Sequence, residues 1–411
     1  MWADHFTPNE ILNEQVLSFF MDICTRIDNQ TNVRIAVNTR LLIKNQLEGI
    51  GWFTYETLKR IVTNHPEHEF FFIFDRAYDP QFIFSKNVTP IVVGPPARHP
   101  LLFILWFEFS IPHILKKIKA DAFISPDAYG SLSTKVPTLL VIHDLNFEHF
   151  PQYIPRLARW HYQYFTPRFA KKAQRIATVS EYSKADIVTQ YGIDPEKIDV
   201  TYNGANQHFS PISEADQVKI KKEITGGHDY FVFIGALNPR KNLTNLFKAF
   251  DVFRINNPSV QTRLVVVGEK MYWTDDIKNS YLKMAHKSQV VFTGRLNLDK
   301  LVAITGAAKA LVYVSIFEGF GIPIVESFYA GVPVITSTTT SMPEIAGDAA
   351  LFVDPFNINQ IAKAMEKITF DKQLVLSLIE RGRKRRHLFT WDNTADQLWN
   401  SFQKMIKDSI K

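Results

Sequence analysis

The stretch SIFEGFGIPIVESFYAGVP, at residues 315–333, contains the end of an apolar strand, a glycine-bearing turn and a short helix. Proline suits the first position of a helix and glycine suits its C-cap, so Pro323 and Gly331 predict a helix over residues 323–330. Such a helix presents free backbone N–H groups and a positive dipole end at its N-terminus. We therefore predict an anion-binding turn, whose glycines let the backbone approach the bound group.

Two glutamates lie on either side of this turn, Glu318 before the predicted helix and Glu326 in its first turn. A carboxylate repels a phosphate, so two carboxylates beside a phosphate site indicate a ligand that also presents hydroxyl groups. A diphosphate that joins a sugar to a ribose is such a ligand. The alternative is a tight strand-to-helix turn in which a glutamate only complements the helix dipole.

Outward from this turn, short and nearly continuous apolar strands alternate with helices, which is typical of a parallel sheet covered on both faces. A polar stretch at 208–217 interrupts the alternation. We predict an α/β fold of two Rossmann-like, doubly wound domains that face a cleft, with ligands bound beyond the carboxyl ends of the strands. The strands are predicted at 33–40, 70–76, 89–94, 121–126, 138–144, 175–180 and 198–204, and then at 230–236, 263–268, 290–294, 310–315, 332–337 and 350–354.

The interruption in the pattern sets the predicted domain boundaries. We predict an N-terminal helical extension over 1–32, a first, acceptor-side domain over 33–210 and a second domain over 211–390. A final helix over 391–411 has apolar residues at near-helical spacing and is expected to pack back on the first domain. Other helices are predicted at 8–28, 53–64, 357–370 and 372–388.

The composition is that of a globular protein, and 411 residues suffice for two domains of about 200 residues each. The 47 Lys and Arg residues and 41 Asp and Glu residues give a net charge of +6, which suits anionic ligands or a phospholipid surface but not a nucleic-acid arm. The single cysteine, Cys24, excludes an internal disulfide and suits a reducing compartment. We expect no secretory signal, because no positively charged stretch followed by an apolar core is found at the N-terminus, and the most apolar run, 101–107, is too short to span a bilayer. We expect a cytoplasmic protein, in solution or at the inner face of the membrane.

The quoted stretch closely resembles a motif of the retaining family-four glycosyltransferases, the group-one type with the GT-B fold. The shared features are the Glu-x7-Glu block EGFGIPIVE at 318–326, AGVPVI at 330–335 and SMPEIAGDAALFVDP at 341–355. The resemblance continues through EGIGWFT (48–54), VIHDL (141–145), TVSEYSKADI (178–187), VTYNG (200–204) and GALNPRKN (235–242). It covers about residues 33–395 in the same order. The resemblance implies transfer of a sugar from a nucleotide-diphosphate donor that binds in the second domain.

Residues of the second domain acquire roles from this resemblance. It implies that Glu318 accepts hydrogen bonds from the donor hexose, that Glu326 accepts them from the ribose, and that Lys241 contacts the diphosphate with help from Arg240. Many family members have an arginine where this chain has Ala236, so either Arg240 substitutes for it or the phosphate is held more weakly. A charged first helical turn is the alternative for Arg240 and Lys241. The expected donor site is completed by the backbone of Gly319, Phe320, Gly321 and Ile322 and by Arg295 near the base.

In the first domain, His143 and Asp144 end a predicted strand on the cleft side. The resemblance places His143 beside the donor sugar, where it binds a hydroxyl or stabilises the transition state. Gly49 and Gly51 lie between a strand and a helix and are expected to admit the donor phosphate or the acceptor, although glycine serves any tight turn. The predicted acceptor side consists of Asp144, Ser180 and Glu181, although a helix N-cap is the commoner role for a serine in the position of Ser180.

The expected mechanism stabilises the leaving diphosphate with Lys241, Arg240 and the helix N-terminus. The sequence contains no Asp-x-Asp pair, so neither a metal ion nor another cofactor is expected. The resemblance favours same-face attack with retention, in which the departing phosphate takes the acceptor proton; an inverting enzyme would use His143 as general base. The PRKN form resembles mannosyltransferases of bacterial polysaccharide assembly. GDP-mannose is therefore the favoured donor, UDP-sugars come next, and a glycan or lipid-linked saccharide is the expected acceptor.

An oxidoreductase and a non-catalytic binding protein are the alternatives to a glycosyltransferase. A Rossmann oxidoreductase would need a GxGxxG motif after the first strand, which this chain lacks. A non-catalytic protein that kept the fold for binding or scaffolding remains the alternative. The segment HPLLFILWFEFSIPHILKKIK, at 99–119, favours a helix packed on the first sheet over a peripheral membrane contact. The basic run RGRKRRH, at 381–387, favours a solvated helix face or a contact with lipid phosphates over nucleic acid.

Overall fold

A computed structural model describes residues 32–206, 208–270 and 273–410. These residues form two parallel sheets, each covered by helices on both faces, so the predicted α/β fold with two Rossmann-like domains is confirmed. The predicted extension over 1–32, with its helix over 8–28, lies outside the described residues except for Asn32.

The strands of the first sheet are β1 (Arg34–Asn38), β2 (Glu69–Phe74), β3 (Val88–Val92), β4 (Ala122–Ser125), β5 (Thr138–Ile142), β6 (Arg175–Thr178) and β7 (Ile198–Val200). Those of the second are β8 (Tyr230–Ile234), β9 (Arg263–Val267), β10 (Val290–Gly294), β11 (Ala310–Tyr313), β12 (Val334–Ser337) and β13 (Ala350–Val353). The orders are β3-β2-β1-β4-β5-β6-β7 and β10-β9-β8-β11-β12-β13. Each order reverses once, between β1 and β4 and between β8 and β11, and α/β sheets bind ligands at such switch points.

The helices of the first domain are α1 (Gly49–Asn64), α2 (Pro100–Leu105), α3 (Ile111–Lys117), α4 (Asn146–His149), α5 (Arg156–Lys172) and α6 (Glu181–Tyr191). The second domain contains α7 (Glu214–Thr225), α8 (Leu243–Asn256), α9 (Asp275–Leu282), α10 (Leu298–Gly306), α11 (Ile322–Ala330), α12 (Met342–Ala346), α13 (Ile358–Phe370) and α14 (Lys372–Arg385). The last helix is α15 (Trp391–Ile410). No helix among the described residues is long and apolar enough to cross a bilayer.

The strands are apolar because helices cover both faces of each sheet. β2, with the sequence EFFFIF, buries its last five residues, and β8, with the sequence YFVFI, buries all five. Several strands end before their predicted ends. β5 stops at Ile142 rather than at 144, so His143 and Asp144 lie in the loop that follows it, at the carboxyl edge of the sheet.

Two predicted helix boundaries are wrong. α1 begins at Gly49 rather than at 53, so Gly49 and Gly51 lie in its first turn and not in a loop before it. Gly51 packs under the preceding loop, where an added Cβ would lie 3.2 Å from the carbonyl oxygen of Leu41. The helix predicted over 372–388 ends at Arg385, and a 3-10 turn over Arg386–Leu388 follows.

Residues 99–119, which were predicted to pack on the first sheet as a helix, do pack there. α2, a π-helical turn over Trp106–Ser110 and α3 follow one another directly. Trp106 is fully buried, and its indole N–H donates to the carbonyl of Val93 at 2.7 Å. One face of this segment therefore belongs to the core, while the other faces solvent.

α15 returns to the first domain and packs on α1 and β6. The ring of Trp399 stacks on His65 with centroids 3.8 Å apart, and the hydroxyl of Thr394 donates to the carbonyl of Tyr202 at 2.7 Å. The start of the helix leaves no space at Gly204, where an added Cβ would lie 2.4 Å from the backbone nitrogen of Trp391. The final helix therefore packs back on the first domain, as predicted.

Candidate active site

Two cations reach the cleft from the turn between β8 and α8. The side chain of Asn238 accepts a hydrogen bond from the backbone N–H of Lys241 and begins a 3-10 turn over Pro239–Lys241. The side chain of Lys241 is buried and passes over Gly235, where an added Cβ would lie 3.5 Å from Lys241 Cε. The guanidinium of Arg240 lies beside it and donates to the carbonyl of Phe317 at 2.9 Å. This turn therefore places two positive charges at one wall of the cleft.

Glu318 forms ion pairs with both cations. Its carboxylate oxygens lie 2.6 Å from Lys241 Nζ and 2.8 Å from Arg240 Nη1. Burial alone would raise the pKa of Glu318, but Arg240 and Lys241 outweigh burial and hold this pKa at about 2. Burial lowers the pKa of Lys241 to about 8 against the effect of Glu318. The three side chains predicted to hold sugar and diphosphate thus form one buried ion cluster.

Glu326 lies on α11, behind the same turn. Because α11 begins at Ile322, Glu326 lies in its second turn and not in the predicted first turn. Burial raises the pKa of Glu326 to about 7, and no hydrogen-bond partner among the described residues meets its carboxylate. Near neutral pH this carboxyl group is therefore partly protonated, so it can both donate to and accept from a hydroxyl.

The first glycine of the turn, Gly319, is required for a reason other than the predicted one. An added Cβ at Gly319 would lie 2.2 Å from the carbonyl oxygen of His143, so this glycine is required by contact between the domains rather than by a ligand. Gly321 adopts the left-handed conformation, with φ of 102°, at the N-cap of α11. Within the described ranges, no acceptor meets the backbone N–H groups of Phe320, Gly321 and Ile322. These N–H groups are available to an anion, as the predicted site requires.

His143 lies on the opposite wall of the cleft. Its Nε2 lies 2.9 Å from the carbonyl oxygen of Pro126, and because a carbonyl only accepts, Nε2 carries the proton. Burial lowers the pKa of His143, which keeps the ring neutral. The ring packs edge-on against Phe53, with centroids 4.9 Å apart. The partner that orients this histidine is therefore a carbonyl and not a carboxylate.

The predicted donor residues Gly49 and Arg295 lie at the mouth of the cleft. Gly49 is exposed in the first turn of α1, and nothing lies within 4 Å of an added Cβ there. Arg295 follows β10 in the second domain, and its Nη1 lies 3.4 Å from the carboxylate of Glu48 in the first domain. Gly51, by contrast, is buried under its own loop and does not face the cleft directly.

The predicted acceptor-side residues Asp144 and Ser180 already have partners. The carboxylate of Asp144 accepts from the backbone N–H of Asn146 at 3.0 Å, at the start of α4. Ser180 is fully buried, and its hydroxyl accepts from the backbone N–H of Ser183 at 3.0 Å as the N-cap of α6. The same hydroxyl donates to the carbonyl of Gly319 at 2.6 Å. Ser180 is therefore a cap and an interdomain contact, and it has no free hydroxyl for an acceptor.

Sequence reasoning assigned no role to Glu344, although it quoted the motif that contains it. The Glu344 carboxylate accepts from the backbone N–H groups of Glu181 at 2.8 Å and Tyr182 at 3.0 Å, at the start of α6 in the other domain. A negative charge there is favourable because the N-terminal end of a helix is positive. The predicted residue Glu181 thus contributes its backbone, while its side chain is exposed. Arg385, in the basic run, donates to the carbonyl of Ile345 and so is not part of a solvated face.

Sequence reasoning also missed Phe317, which precedes Glu318 and inserts into the first domain. Its ring centroid lies 4.8 Å from that of His149, 5.8 Å from that of Phe150 and 5.9 Å from that of Tyr182. Phe317 is 3% exposed, although it lies in a turn that faces a cleft. An aromatic residue in such a turn was its only sequence signal. The contact fixes the glycine turn against the first domain.

The acidic residues of the cleft are spread out. Glu318 is paired with two cations, Glu326 has no cation beside it, and Asp144 begins a helix. Across the part of the chain that the structure describes, no group of three or more His, Cys, Asp or Glu side chains is arranged to hold a metal ion. Positive charge at this wall comes from Arg240, Lys241 and the N-terminus of α11.

Two family models match neighbouring parts of the chain. The model described as glycosyl transferases group 1 matches residues 215–385, and that described as glycosyltransferase family 4 matches residues 48–209. The O-antigen chain mannosyltransferase B of Escherichia coli is 25% identical over 376 residues, which cover 88% of this chain and 97% of that protein.

Solved structures share the fold at low identity. Sucrose-phosphate synthase from Thermosynechococcus elongatus has a TM-score of 0.72 and 17% identity, over 92% of this chain and 100% of that one. Anabaena HepE in complex with UDP and glucose has a TM-score of 0.69 and 16% identity, over 90% of this chain and 100% of that one. The fold is therefore GT-B, as expected from the resemblance.

Replacing the two glutamates is expected to change stability in opposite directions. Glu318→Gln leaves the buried Lys241 and the partly buried Arg240 without their anion and should lower the free energy of unfolding by about 2–4 kcal/mol at neutral pH. Glu326→Gln should raise it, because an ionised Glu326 destabilises the folded state once the pH exceeds its raised pKa. Between pH about 5 and about 8.5, this gain should grow by about 1–3 kcal/mol. Urea denaturation of the three proteins at both pH values measures these differences.

Glu366→Gln on α13, an exposed glutamate outside the cleft, is the matched control and should leave stability unchanged. A pH-independent effect of Glu326→Gln would contradict the raised pKa of that carboxyl group. Unchanged stability in Glu318→Gln would contradict the ion cluster.

Proposed function

We propose that this chain, which belongs to the group 1 and family 4 glycosyltransferases, transfers a hexose from a nucleoside-diphosphate sugar to a hydroxyl of a glycan or a lipid-linked saccharide. The transfer proceeds with retention and without a metal ion, and mannose is the favoured sugar. The observation that carries the proposal is the cluster of Glu318, Arg240 and Lys241 beside the free N–H groups that begin α11. It combines cations for a diphosphate with a carboxylate for sugar hydroxyls.

The leaving diphosphate is stabilised by fixed positive groups. As the bond from the sugar to the phosphate breaks, negative charge develops on the leaving oxygen. Arg240 and Lys241 can turn from Glu318 to this oxygen, and Glu318 is then available to hydroxyls of the hexose. This chain has Ala236 where many family members have an arginine, and the guanidinium of Arg240 lies beside Glu318. This supports the interpretation that Arg240 takes the place of that arginine, and not the alternative of a weaker phosphate site. No metal ion is needed for this charge balance.

Glu326 binds the ribose in this proposal. A partly buried carboxyl group with a pKa of about 7 can use both its acceptor and its donor capacity on two neighbouring hydroxyls. In the same proposal, Arg295 at the mouth of the cleft contacts the base of the nucleotide, and Gly49 lies across the cleft from Arg295. The sugar then extends from the diphosphate toward His143.

Retention is supported by the surroundings of His143. A general base in an inverting reaction is usually oriented by a carboxylate, whereas the Nε2 proton of His143 is held by the carbonyl of Pro126. We therefore assign His143 to a sugar hydroxyl or to the positive charge of the transition state. The acceptor hydroxyl attacks from the face that the phosphate leaves, and the departing phosphate oxygen takes its proton.

The choice of mannose is supported by the similarity to the O-antigen chain mannosyltransferase of Escherichia coli, and GDP-mannose is the corresponding donor. A UDP-sugar is the second candidate, because Anabaena HepE, a structure with the same fold, holds UDP and glucose. The single cysteine in the sequence suits a reducing compartment, so we place the reaction inside the cell, at the inner face of the membrane when the acceptor is lipid-linked.

Nucleotides are expected to raise the melting temperature of the purified protein. GDP or UDP, and the corresponding nucleotide sugars, should give a saturable shift that EDTA does not change. Lys241→Ala and Glu326→Ala should lose most of this shift, because they remove a diphosphate contact and a ribose contact. Lys248→Ala and Glu366→Ala, at exposed positions of α8 and α13, are the matched controls and should keep it. Thermal-shift screening of GDP, UDP, ADP and their sugars measures these effects.

Loss of the shift in EDTA would contradict the metal-free proposal. Nucleotide binding without turnover of any sugar donor would favour a non-catalytic binding protein with this fold. A folded protein with no response to any nucleotide would overturn the donor site itself.

The product is expected to keep the anomeric configuration of the donor. With GDP-α-mannose and a mannose-terminated acceptor, proton NMR of the product should show an α-linked residue. His143→Ala should lower kcat by about a hundredfold or more while the nucleotide shift persists. A β-linked product would show inversion, and His143 would then be reconsidered as the general base.

A further inference from the structure

Exposed apolar side chains are concentrated on two helical segments of the first domain. The first segment runs from α2 through the π-helical turn, and the second runs from the residues before α5 along that helix. On them lie seven large apolar side chains that are at least two fifths exposed: Leu101, Leu105, Phe109, Tyr153, Leu157, Trp160 and Tyr164. Phe109 is 66% exposed and Trp160 is 48% exposed. We call these seven side chains the apolar patch.

The patch follows one face of each segment. Residues 101, 105 and 109 are spaced by four, and 157, 160 and 164 by three or four, which is the spacing of neighbours on one side of a helix. Tyr153 lies in the 3-10 turn that precedes α5. The two segments touch through Phe103 and His161, whose ring centroids are 5.7 Å apart. His161 is buried and Phe103 packs against the core, so the contact is on the inner sides of the two segments and makes them neighbours in the fold.

Both faces continue into exposed basic residues at the same spacing. The first row goes on from Phe109 to His113 and Lys117, and the second goes on from Tyr164 to Arg168 and Lys171. The guanidinium of Arg168 lies over the ring of Tyr164, 3.6 Å from its centroid. Each segment therefore has an apolar part followed by a cationic part on one exposed face.

Acidic residues are nearly absent from the two segments. Residues 151–172 contain no Asp or Glu. Between 98 and 119 the one acidic residue is Glu108, and its carboxylate accepts from the backbone N–H of Leu132 and the hydroxyl of Ser133. The charge that this surface presents is thus positive.

We propose that the apolar patch and its two basic rows dock on a bilayer that contains anionic phospholipids. Helices that combine Trp, Phe and Leu with Lys and Arg bury the apolar side chains at the boundary between headgroups and acyl chains. Tyr and Trp suit this position because their rings are apolar and their N–H or O–H groups reach water. The basic rows attract anionic headgroups. A second copy of the chain fits less well, because it would bring two positive surfaces together.

The docking surface lies on the domain that we assign to the acceptor. α5 begins soon after His149 and Phe150, the residues that receive Phe317 from the glycine turn. Docking would hold the acceptor side of the cleft close to a membrane, where a lipid-linked saccharide presents its sugar. This last consequence rests on the proposed function, whereas the docking itself does not.

Sedimentation of the full chain with phosphatidylcholine vesicles, with and without phosphatidylglycerol, tests the proposal. We expect binding that requires phosphatidylglycerol and weakens as salt is added. The triple variant Leu105→Ala, Phe109→Ala, Trp160→Ala should lower the partition coefficient at least about tenfold. Lys117→Gln and Arg168→Gln should each lower it about fivefold, and less in high salt. Ile255→Ala, Phe356→Ala, Phe370→Ala, which truncates side chains of similar exposure on the second domain, is the matched control and should bind normally.

Absence of binding to anionic vesicles would overturn the proposal, and so would equal losses in the patch triple and the control triple. A dimer that forms without lipid and dissociates in the patch triple would assign the surface to a second copy instead. The nucleotide-dependent melting shift is measured on the same variants. It should persist in the patch triple, so failure of docking is distinguishable from failure of the donor site.

Discussion

A buried carboxylate between a buried lysine and a partly buried arginine holds together the wall of the cleft on which the rest of the site depends. Glu318 links the turn after β11 to the turn after β8, and its partners Arg240 and Lys241 cannot leave it without finding another anion. A diphosphate is such an anion, and the sugar attached to it offers hydroxyls to the carboxylate that it displaces. In the proposed reaction, the cluster keeps the cations in place before the donor binds, so that little rearrangement is needed when the leaving group develops its charge.

The same turn connects the two domains. Phe317 inserts among rings of the first domain, and Gly319 touches the backbone of His143 so closely that no side chain would fit. Further along the chain, Glu344 caps a helix of the other domain. Because these contacts flank Glu318 in sequence and in space, a change in the angle between the domains would also move the ion cluster. The geometry of the ion cluster therefore depends on how the two domains pack against each other.

Much of the fold and part of the site could be predicted from the sequence. Strands such as β8 are buried on both faces, so their unbroken apolar runs indicated parallel sheets. The motifs identified Glu318, Arg240 and Lys241, and in the structure the carboxylate of Glu318 lies within 2.8 Å of each cation. The rest depends on which distant loops meet. The reason for Gly319 is a contact with residue 143, and the role of Glu344 is a contact with residue 181, and neither pairing leaves a local pattern in the sequence. Gly49 was placed in a loop because glycine usually indicates a turn, whereas here it begins a helix.

The central claim, that Arg240 and Lys241 hold the donor diphosphate, is tested most directly by comparing nucleoside monophosphate with nucleoside diphosphate. Isothermal titration in the presence of EDTA, with the preferred base, gives the ratio of the two dissociation constants. The wild-type protein should bind the diphosphate about a hundredfold more tightly, because charge-assisted contacts to the second phosphate are strong. In Arg240→Gln, Lys241→Gln the ratio should fall close to one, while retained binding of the monophosphate shows that the site is still folded. An unchanged ratio in this variant would mean that other groups hold the diphosphate, and the account of the cluster would be wrong.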